Sequence, residues 1–109
     1  MDLLIGLDVG TTAAKAAGYD EHLQLIASAN VPYVQGLAAP REGWAEQDVE
    51  DLWRGVVAAL RAASASAAGK GRIVALALST QGGTTIALDE QGRPLAPAIS
   101  WMDTRAANP

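Results

Sequence analysis

The sequence predicts an α/β fold in which three antiparallel strands are followed by a helix that crosses back to a further strand. Three observations carry that reading. Apolar runs near the start are joined by connections short enough to be hairpins, one later stretch carries apolar residues at three- and four-residue spacing, and another continuous apolar run follows it. A strand, a helix and a return strand together describe a crossover that packs the helix on the sheet.

Leu3 to Val9 is apolar except for Asp8, and Gly10-Thr11-Thr12 then breaks the run, which predicts a buried strand ending in a tight turn. Ala13 to Tyr19 and Leu23 to Val31 read as two more strands, with Asp20-Glu21-His22 as the turn between them. Pro32 to Gln47, punctuated by Gly36, Pro40 and Gly43, has no usable period and reads as a loop. Asp48 then suits a helix N-cap, and Glu50 and Asp51 place negative charge at the partial positive end of the helix. Val49, Leu52, Trp53, Val56, Leu60 and Ala63 make one apolar stripe over about four turns. Trp44 and Trp53 therefore read as packing residues. The helix fades through Ser64, Ser66 and Gly69-Lys70-Gly71, and Ile73 to Leu78 is a further strand ending at Ser79. Thr84 to Leu88 and Leu95 to Trp101 flank Asp89-Glu90-Gln91-Gly92, which predicts a second hairpin.

With 109 residues the chain makes one domain at most, and a domain of that size buries only about two-thirds of its unfolded surface. Its apolar half holds 23 alanines against 24 leucines, isoleucines and valines and no phenylalanine, so the core is thin. Twelve acidic residues against eight basic ones leave a charge of -4. That balance argues against nucleic acid as a partner. Cysteine is absent and His22 is the sole histidine, which excludes disulfides, thiolate chemistry and a histidine-cluster zinc site. Met1 to Gly6 lacks the basic start of a signal peptide. No apolar stretch approaches the roughly 18 residues of a membrane span, so the expectation is a soluble, cytoplasmic chain with no membrane partner.

The sharpest chemical feature is Asp8-Val9-Gly10-Thr11-Thr12-Ala13-Ala14-Lys15, a strand-end acid, a glycine turn, two hydroxyls and a cation. Such a turn can aim backbone N–H groups and hydroxyls at one phosphate, with Lys15 adding positive charge and Asp8 holding Mg2+ or its water. The plainer reading is a hairpin turn with a capping aspartate. Neither GxxxxGK[ST] nor GxGxxG is present.

This motif and three others in order resemble the amino-terminal end of the FGGY carbohydrate kinases, within the actin-like ATPase superfamily. Asp8 to Thr12 with Lys15 is similar to the family's first phosphate motif, and Gly43-Trp44-Ala45-Glu46-Gln47-Asp48 followed by Trp53 to its GWxEQD segment. Ser79 to Thr85, with Leu88-Asp89 and Gly92 to Leu95, resembles its substrate loop and hairpin, and Pro97 to Arg105 its PAIxWxDxR end. The resemblance covers essentially the whole chain.

It implies a ribonuclease H-like mixed sheet, with strands 1 to 3 antiparallel, a crossover helix, a parallel fourth strand beside the first, and an inserted hairpin. It implies an incomplete domain, residues 1–109 being the first part of the family's N-terminal domain, with the rest of that domain and the C-terminal domain absent. The implied activity is phosphorylation of a sugar or polyol hydroxyl by ATP with Mg2+, a reaction that demands alignment and charge neutralisation. Asp8 is then the catalytic and metal-side acid, and Gly10, Thr11, Thr12 and Lys15 hold phosphate. Gln81, Gly82, Gly83, Trp101 and Asp103 are the acceptor-side candidates, since an aromatic face suits sugar C–H groups and amide or carboxylate oxygens bind hydroxyls. Trp101 reads equally as a core aromatic, and Gln81 and Asp103 as turn stabilisers.

Glycerol kinases carry Arg-Glu after the glutamine and xylulokinases Met-His, whereas this chain has Gly82-Gly83. The glycerol-type contacts are therefore missing, and the two glycines leave space that suits either a bulkier sugar or a flexible loop; a xylulokinase-like sugar is expected ahead of glycerol. The general-base aspartate, the second phosphate motif and the adenosine pocket are expected outside this chain, so the piece alone is expected to be inactive and its open edges to favour a homodimer. The competing reading is a non-enzymatic ATP-binding switch on the same scaffold.

Overall fold

The computed structural model describes residues 1–107. Its elements are β1 (Asp2–Val9), β2 (Ala13–Tyr19), β3 (Leu25–Pro32), β4 (Glu46–Gln47), α1 (Val49–Ala67), β5 (Arg72–Thr80) and β6 (Ala98–Ile99). The main sheet has the order β3-β2-β1-β5, antiparallel across the first three strands and parallel between β1 and β5. This is the mixed sheet and crossover the sequence predicts.

Alternation along β1 buries Leu3, Ile5 and Leu7 and turns Leu4, Gly6 and Asp8 to the other face. α1 covers the first face only. There Leu7, Ala14, Ala16 and Tyr33 meet Leu52, Ala59 and Ala63 in one cluster, and Leu3, Ala27 and Ala67 form a second. The methyl-sized residues do more than fill space poorly. They let the helix approach so closely that a carbon added at Gly55 would stand 2.8 Å from the Tyr33 ring and 3.7 Å from the Ala14 methyl.

That close approach corrects the predicted helix face. The buried positions are Asp51, Leu52, Gly55, Ala59, Ala63 and Ala67, a ridge of small residues. Val49, Val56 and Leu60 pack only at its margins. Trp53, read as a packing residue, is 61% exposed. The helix also runs beyond the serines to Ala67, because the same ridge continues onto Leu3 and Ala27.

Two connections differ from expectation as well. Leu23 belongs to the turn before β3, not to the strand, with φ 61°; the Asp20 carboxylate accepts the His22 and Gln24 N–H groups and closes that turn. The second hairpin shrinks to isolated bridges, Thr85 with Ile99 and Leu88 with Pro94. Pro94 and Pro97 lack the N–H donors a ladder needs, and Ala98–Ile99 pairs with β4 in a small second sheet. The segment read as a plain loop thus contains β4, an Ala38–Glu46 bridge, and an anchor: buried Asp51 accepts the N–H groups of Val34, Gln35 and Gly36 at 2.9, 2.9 and 3.1 Å. Burial opposes ionisation of Asp51, and those three bonds outweigh it, holding the carboxyl below its ordinary value.

Gly55→Ala removes a helix-interior glycine, which by propensity alone gains about 1 kcal/mol, yet the clash with Tyr33 costs roughly 1–3 kcal/mol. Thermal unfolding should show a lower Tm for Gly55→Ala and an almost unchanged one for Trp53→Ala. For Asp51, a folded pKa below the unfolded value near 3.9 means stabilisation that is present above about pH 4 and lost as pH falls through the depressed value. Asp51→Asn should therefore be less stable than the parent at neutral pH, with the gap narrowing in acid denaturation profiles.

Candidate phosphate and acceptor site

The turn between β1 and β2 is shaped by what its carbonyls bind. The Tyr33 hydroxyl donates to the Gly10 carbonyl at 2.8 Å, Gln47 Nε2 to that of Thr11 at 2.8 Å, and the Tyr33 N–H to that of Thr12 at 3.1 Å. Three successive carbonyls are thus tied back into the protein. In a trans peptide the N–H points opposite to the C=O, so the N–H groups of Thr11 and Thr12 are turned outward, and neither has an acceptor among the described residues. Outward N–H groups of this kind form an anion-binding concavity. Gly10 is required by space: a carbon added there would lie 2.9 Å from the Ala13 carbonyl and 3.8 Å from Asp8 Oδ2.

Asp8 pairs across the sheet with Lys15 on one side and Ser79 on the other. All three line a groove of about 600 Å3 on the face away from α1, together with Gly6, Ser28 and Asn30. Asp8 is also near enough to Tyr33 to act on it. Burial, then the Asp8 and Asp51 charges, raise the phenol's pKa, so Tyr33 remains a hydrogen-bond donor.

On the other side of the turn, Gln81 follows β5 and donates its N–H to the Val9 carbonyl at 3.0 Å and its Nε2 to Gln47 Oε1 at 3.0 Å. Gly82 faces open space. Gly83 has φ 84°, and a carbon added there would stand 3.1 Å from the Trp101 Cβ. Trp101 is 54% exposed and so is not a core aromatic; its indole Nε1 donates to Thr11 Oγ1 at 3.0 Å. One hydrogen bond therefore joins the indole to the turn between β1 and β2.

Asp103 sits apart from this exposed surface. Its side chain is 2% exposed, and its oxygens accept the Ala45 N–H at 2.7 Å, the Arg105 N–H at 2.9 Å and the Arg105 guanidinium at 2.7–3.0 Å. The guanidinium bonded to it holds the carboxyl far below the usual carboxylate range. Arg105 also reaches Glu46 at 2.9 Å and lies 3.8 Å above the Trp44 ring. Here Asp103 fixes the 43–48 segment to the chain after Trp101, which is the turn-stabilising arrangement. Tyr33, Gln47 and Arg105 were not singled out from sequence as site-shaping groups. Gln47 and Arg105 stand within quoted motifs, whereas nothing around Tyr33 signals its reach of 23 residues back to Gly10.

Among the described residues no group of three or more His, Cys, Asp or Glu could hold a metal ion, and no helix is long and apolar enough to cross a membrane. Asp8 alone still suits Mg2+, which keeps several waters and takes one or two carboxylates plus phosphate oxygens. The outward N–H groups of Thr11 and Thr12 suit an anion such as phosphate.

The fold is that of the N-terminal domain of sugar kinases of the actin-like ATPase type. The chain belongs to the FGGY family of carbohydrate kinases, whose N-terminal domain matches residues 3–109. A glycerol kinase of Acinetobacter baylyi is 40% identical over 109 residues, covering 98% of this chain and 22% of that protein. A xyloylose kinase from Brucella ovis superposes with a TM-score of 0.87 at 33% identity, covering 95% of this chain and 22% of the other. A gluconate kinase from Lactobacillus acidophilus gives 0.85 at 30% identity, covering 97% and 21%. The chain thus spans about a fifth of the length of these relatives.

The two glycines of the 81–83 loop should behave differently. Gly83→Ala meets both a left-handed backbone, costing roughly 1–2 kcal/mol, and the Trp101 Cβ, whereas Gly82→Ala meets neither. In a 1H–15N spectrum the Trp101 indole N–H should move in Gly83→Ala and stay in place in Gly82→Ala.

Proposed function

We propose that this chain is the phosphate-side portion of a kinase that transfers the γ-phosphate of ATP, with Mg2+, to a hydroxyl of a sugar or polyol. The observation that carries the reading is the turn at Gly10 to Thr12, whose inward carbonyls leave two N–H donors facing out beside Asp8. Kinship with glycerol, xyloylose and gluconate kinases supports the reaction class.

In this reading the Thr11 and Thr12 N–H groups and the Thr12 hydroxyl bind phosphate oxygens, and Lys15 contributes charge from the facing strand. Asp8 holds the metal or its water. Bound Mg2+ supplies neutralisation of the charge that develops on the transferred group. Trp101 offers its exposed indole face to the C–H surface of the acceptor, and its bond to Thr11 Oγ1 sets that face at a fixed distance from the phosphate turn. Gly82 and Gly83 leave room beside it in place of the Arg-Glu pair of glycerol kinases, so we take a sugar larger than glycerol, of the xylulose type, as the acceptor. Gln81 and Asp103 act by holding the loop and the 43–48 segment. The general base and the adenosine pocket lie in the longer chain, and use of ATP fits a cytoplasmic location.

In the full-length enzyme, Asp8→Ala should lower turnover by about two orders of magnitude or more while circular dichroism and Tm stay near the parent values. Turnover equal to the parent's would remove Asp8 from the mechanism. Assaying the full-length enzyme with ATP against pentuloses, hexuloses, aldonates and polyols tests the acceptor class, and the 109-residue chain alone should consume no ATP in response to sugar in a coupled assay.

A further inference from the structure

Gln47 is 2% exposed and lies between the phosphate turn and the loop at Gln81. Its amide is oriented by one constraint. The Thr11 carbonyl can only accept, so Gln47 must present Nε2 to it, at 2.8 Å. Gln47 Oε1 then faces away from the turn, and only a donor can meet it. Gln81 supplies its Nε2 at 3.0 Å, which in turn fixes which way the Gln81 amide points. Polarity thus runs one way, from a backbone carbonyl in the turn through two amides to the loop that follows β5. The far end is Gln81 Oε1, a buried acceptor without a partner among the described residues. The loop forgoes that bond while keeping the contact with Gln47.

The backbone reinforces the same connection, since the Gln81 N–H bonds the Val9 carbonyl one residue before the turn. Gln47 itself is held from the other side by β4, through its pairing with Ala98. The residue therefore touches, or is anchored to, all three pieces that the proposed reaction must hold in register: the turn, the 81–83 loop and the strand leading to Trp101.

We propose that Gln47 is a positioning residue, which sets the acceptor loop relative to the phosphate turn through the directional pair Thr11 carbonyl–Gln47–Gln81. This rests on the reading of the chain as part of a carbohydrate kinase. Losing the pair lets the acceptor hydroxyl drift from the line of transfer, and water then competes for the phosphoryl group. The sensitive quantity is accordingly the ratio of ATP hydrolysed to sugar phosphorylated. A defect that only lowers the folded fraction scales both rates equally and leaves this ratio unchanged.

The test uses the full-length kinase, its preferred acceptor and ATP, with phosphate release and sugar phosphate measured in the same reaction. Gln47→Met keeps the shape and removes both hydrogen bonds. It should lower kcat for sugar phosphorylation about tenfold or more, with a smaller change in either KM, and raise the ATP hydrolysed per sugar phosphate formed severalfold. A neutral histidine can donate from one nitrogen and accept at the other, so Gln47→His should bring the ratio back toward the parent value. Gln81→Met, which breaks the pair from the less buried end, should raise the ratio too, and the double variant should lose little beyond Gln47→Met alone. If Gln47→Met does not fold, the ratio in Gln81→Met decides. An unchanged ratio in the folded variants, or fully additive losses, overturns the positioning role. Absence of sugar-dependent turnover in the parent enzyme instead overturns the kinase reading itself.

Discussion

The structure depends on one close contact, between the helix and the ring of Tyr33. Gly55 has no side chain, and a single added carbon would enter the ring at 2.8 Å. With the ring seated there, the phenol reaches the Gly10 carbonyl and the Tyr33 N–H reaches that of Thr12. A packing choice on the helix is therefore transmitted to the direction of backbone dipoles in the turn. Ala14, Ala59 and Ala63 belong to the same constraint, because larger side chains there would hold the helix farther from the sheet and from the Tyr33 ring. The alanine-rich composition, which on volume alone implies a weak core, is what permits this distance.

A second lock holds the other half of the site. Arg105 places its guanidinium on Asp103 and Glu46 and over Trp44, and Asp103 reaches the Ala45 N–H. Thr104 adds its N–H and hydroxyl on the Gly43 carbonyl at 2.7 and 3.0 Å. Planar guanidinium chemistry suits this use, since the fork can bind a carboxylate edge-on while its face stacks on an indole. Segments nearly 60 residues apart in sequence are joined in this way, as the Ala45–Asp103 bond shows at a separation of 58. Trp101, just ahead of the lock, is delivered to Thr11 by it.

The three antiparallel strands, the crossover helix and the turn after β1 were legible because each rests on local periodicity or on a glycine break, whereas the place of β5 beside β1 was what the family resemblance implied. Legibility failed where a long-range partner decided the outcome. Trp53 fits the apolar stripe by spacing, but the stripe that wins is the one whose small residues approach the sheet. Thr84 to Trp101 reads as a hairpin by its turn residues, yet Pro94 and Pro97 remove ladder donors and β4 captures Ala98–Ile99. Asp103 carries the chemistry of a hydroxyl ligand or of a turn anchor, and Arg105, two residues on, fills its oxygens. For the site, residue types at Asp8 to Lys15 were informative, while the groups that orient the turn, Tyr33 and Gln47, act through backbone carbonyls that no side-chain pattern announces.

With a charge of -4, these 109 residues supply no general attraction for an anion of their own. A protein with a net positive field can attract a polyphosphate from many directions and tolerate imprecise local dipoles. Here Asp8, beside the turn, adds repulsion for an anion unless a cation lies between them. In the proposed reading the Thr11 and Thr12 N–H groups act at short range beside Lys15 and that cation, and such dipoles act only when aimed. Aim is set by the carbonyls on the other ends of the same peptides, hence by Tyr33 and Gln47. If the turn binds phosphate as proposed, the buried groups behind it matter to that binding alongside the groups that face it.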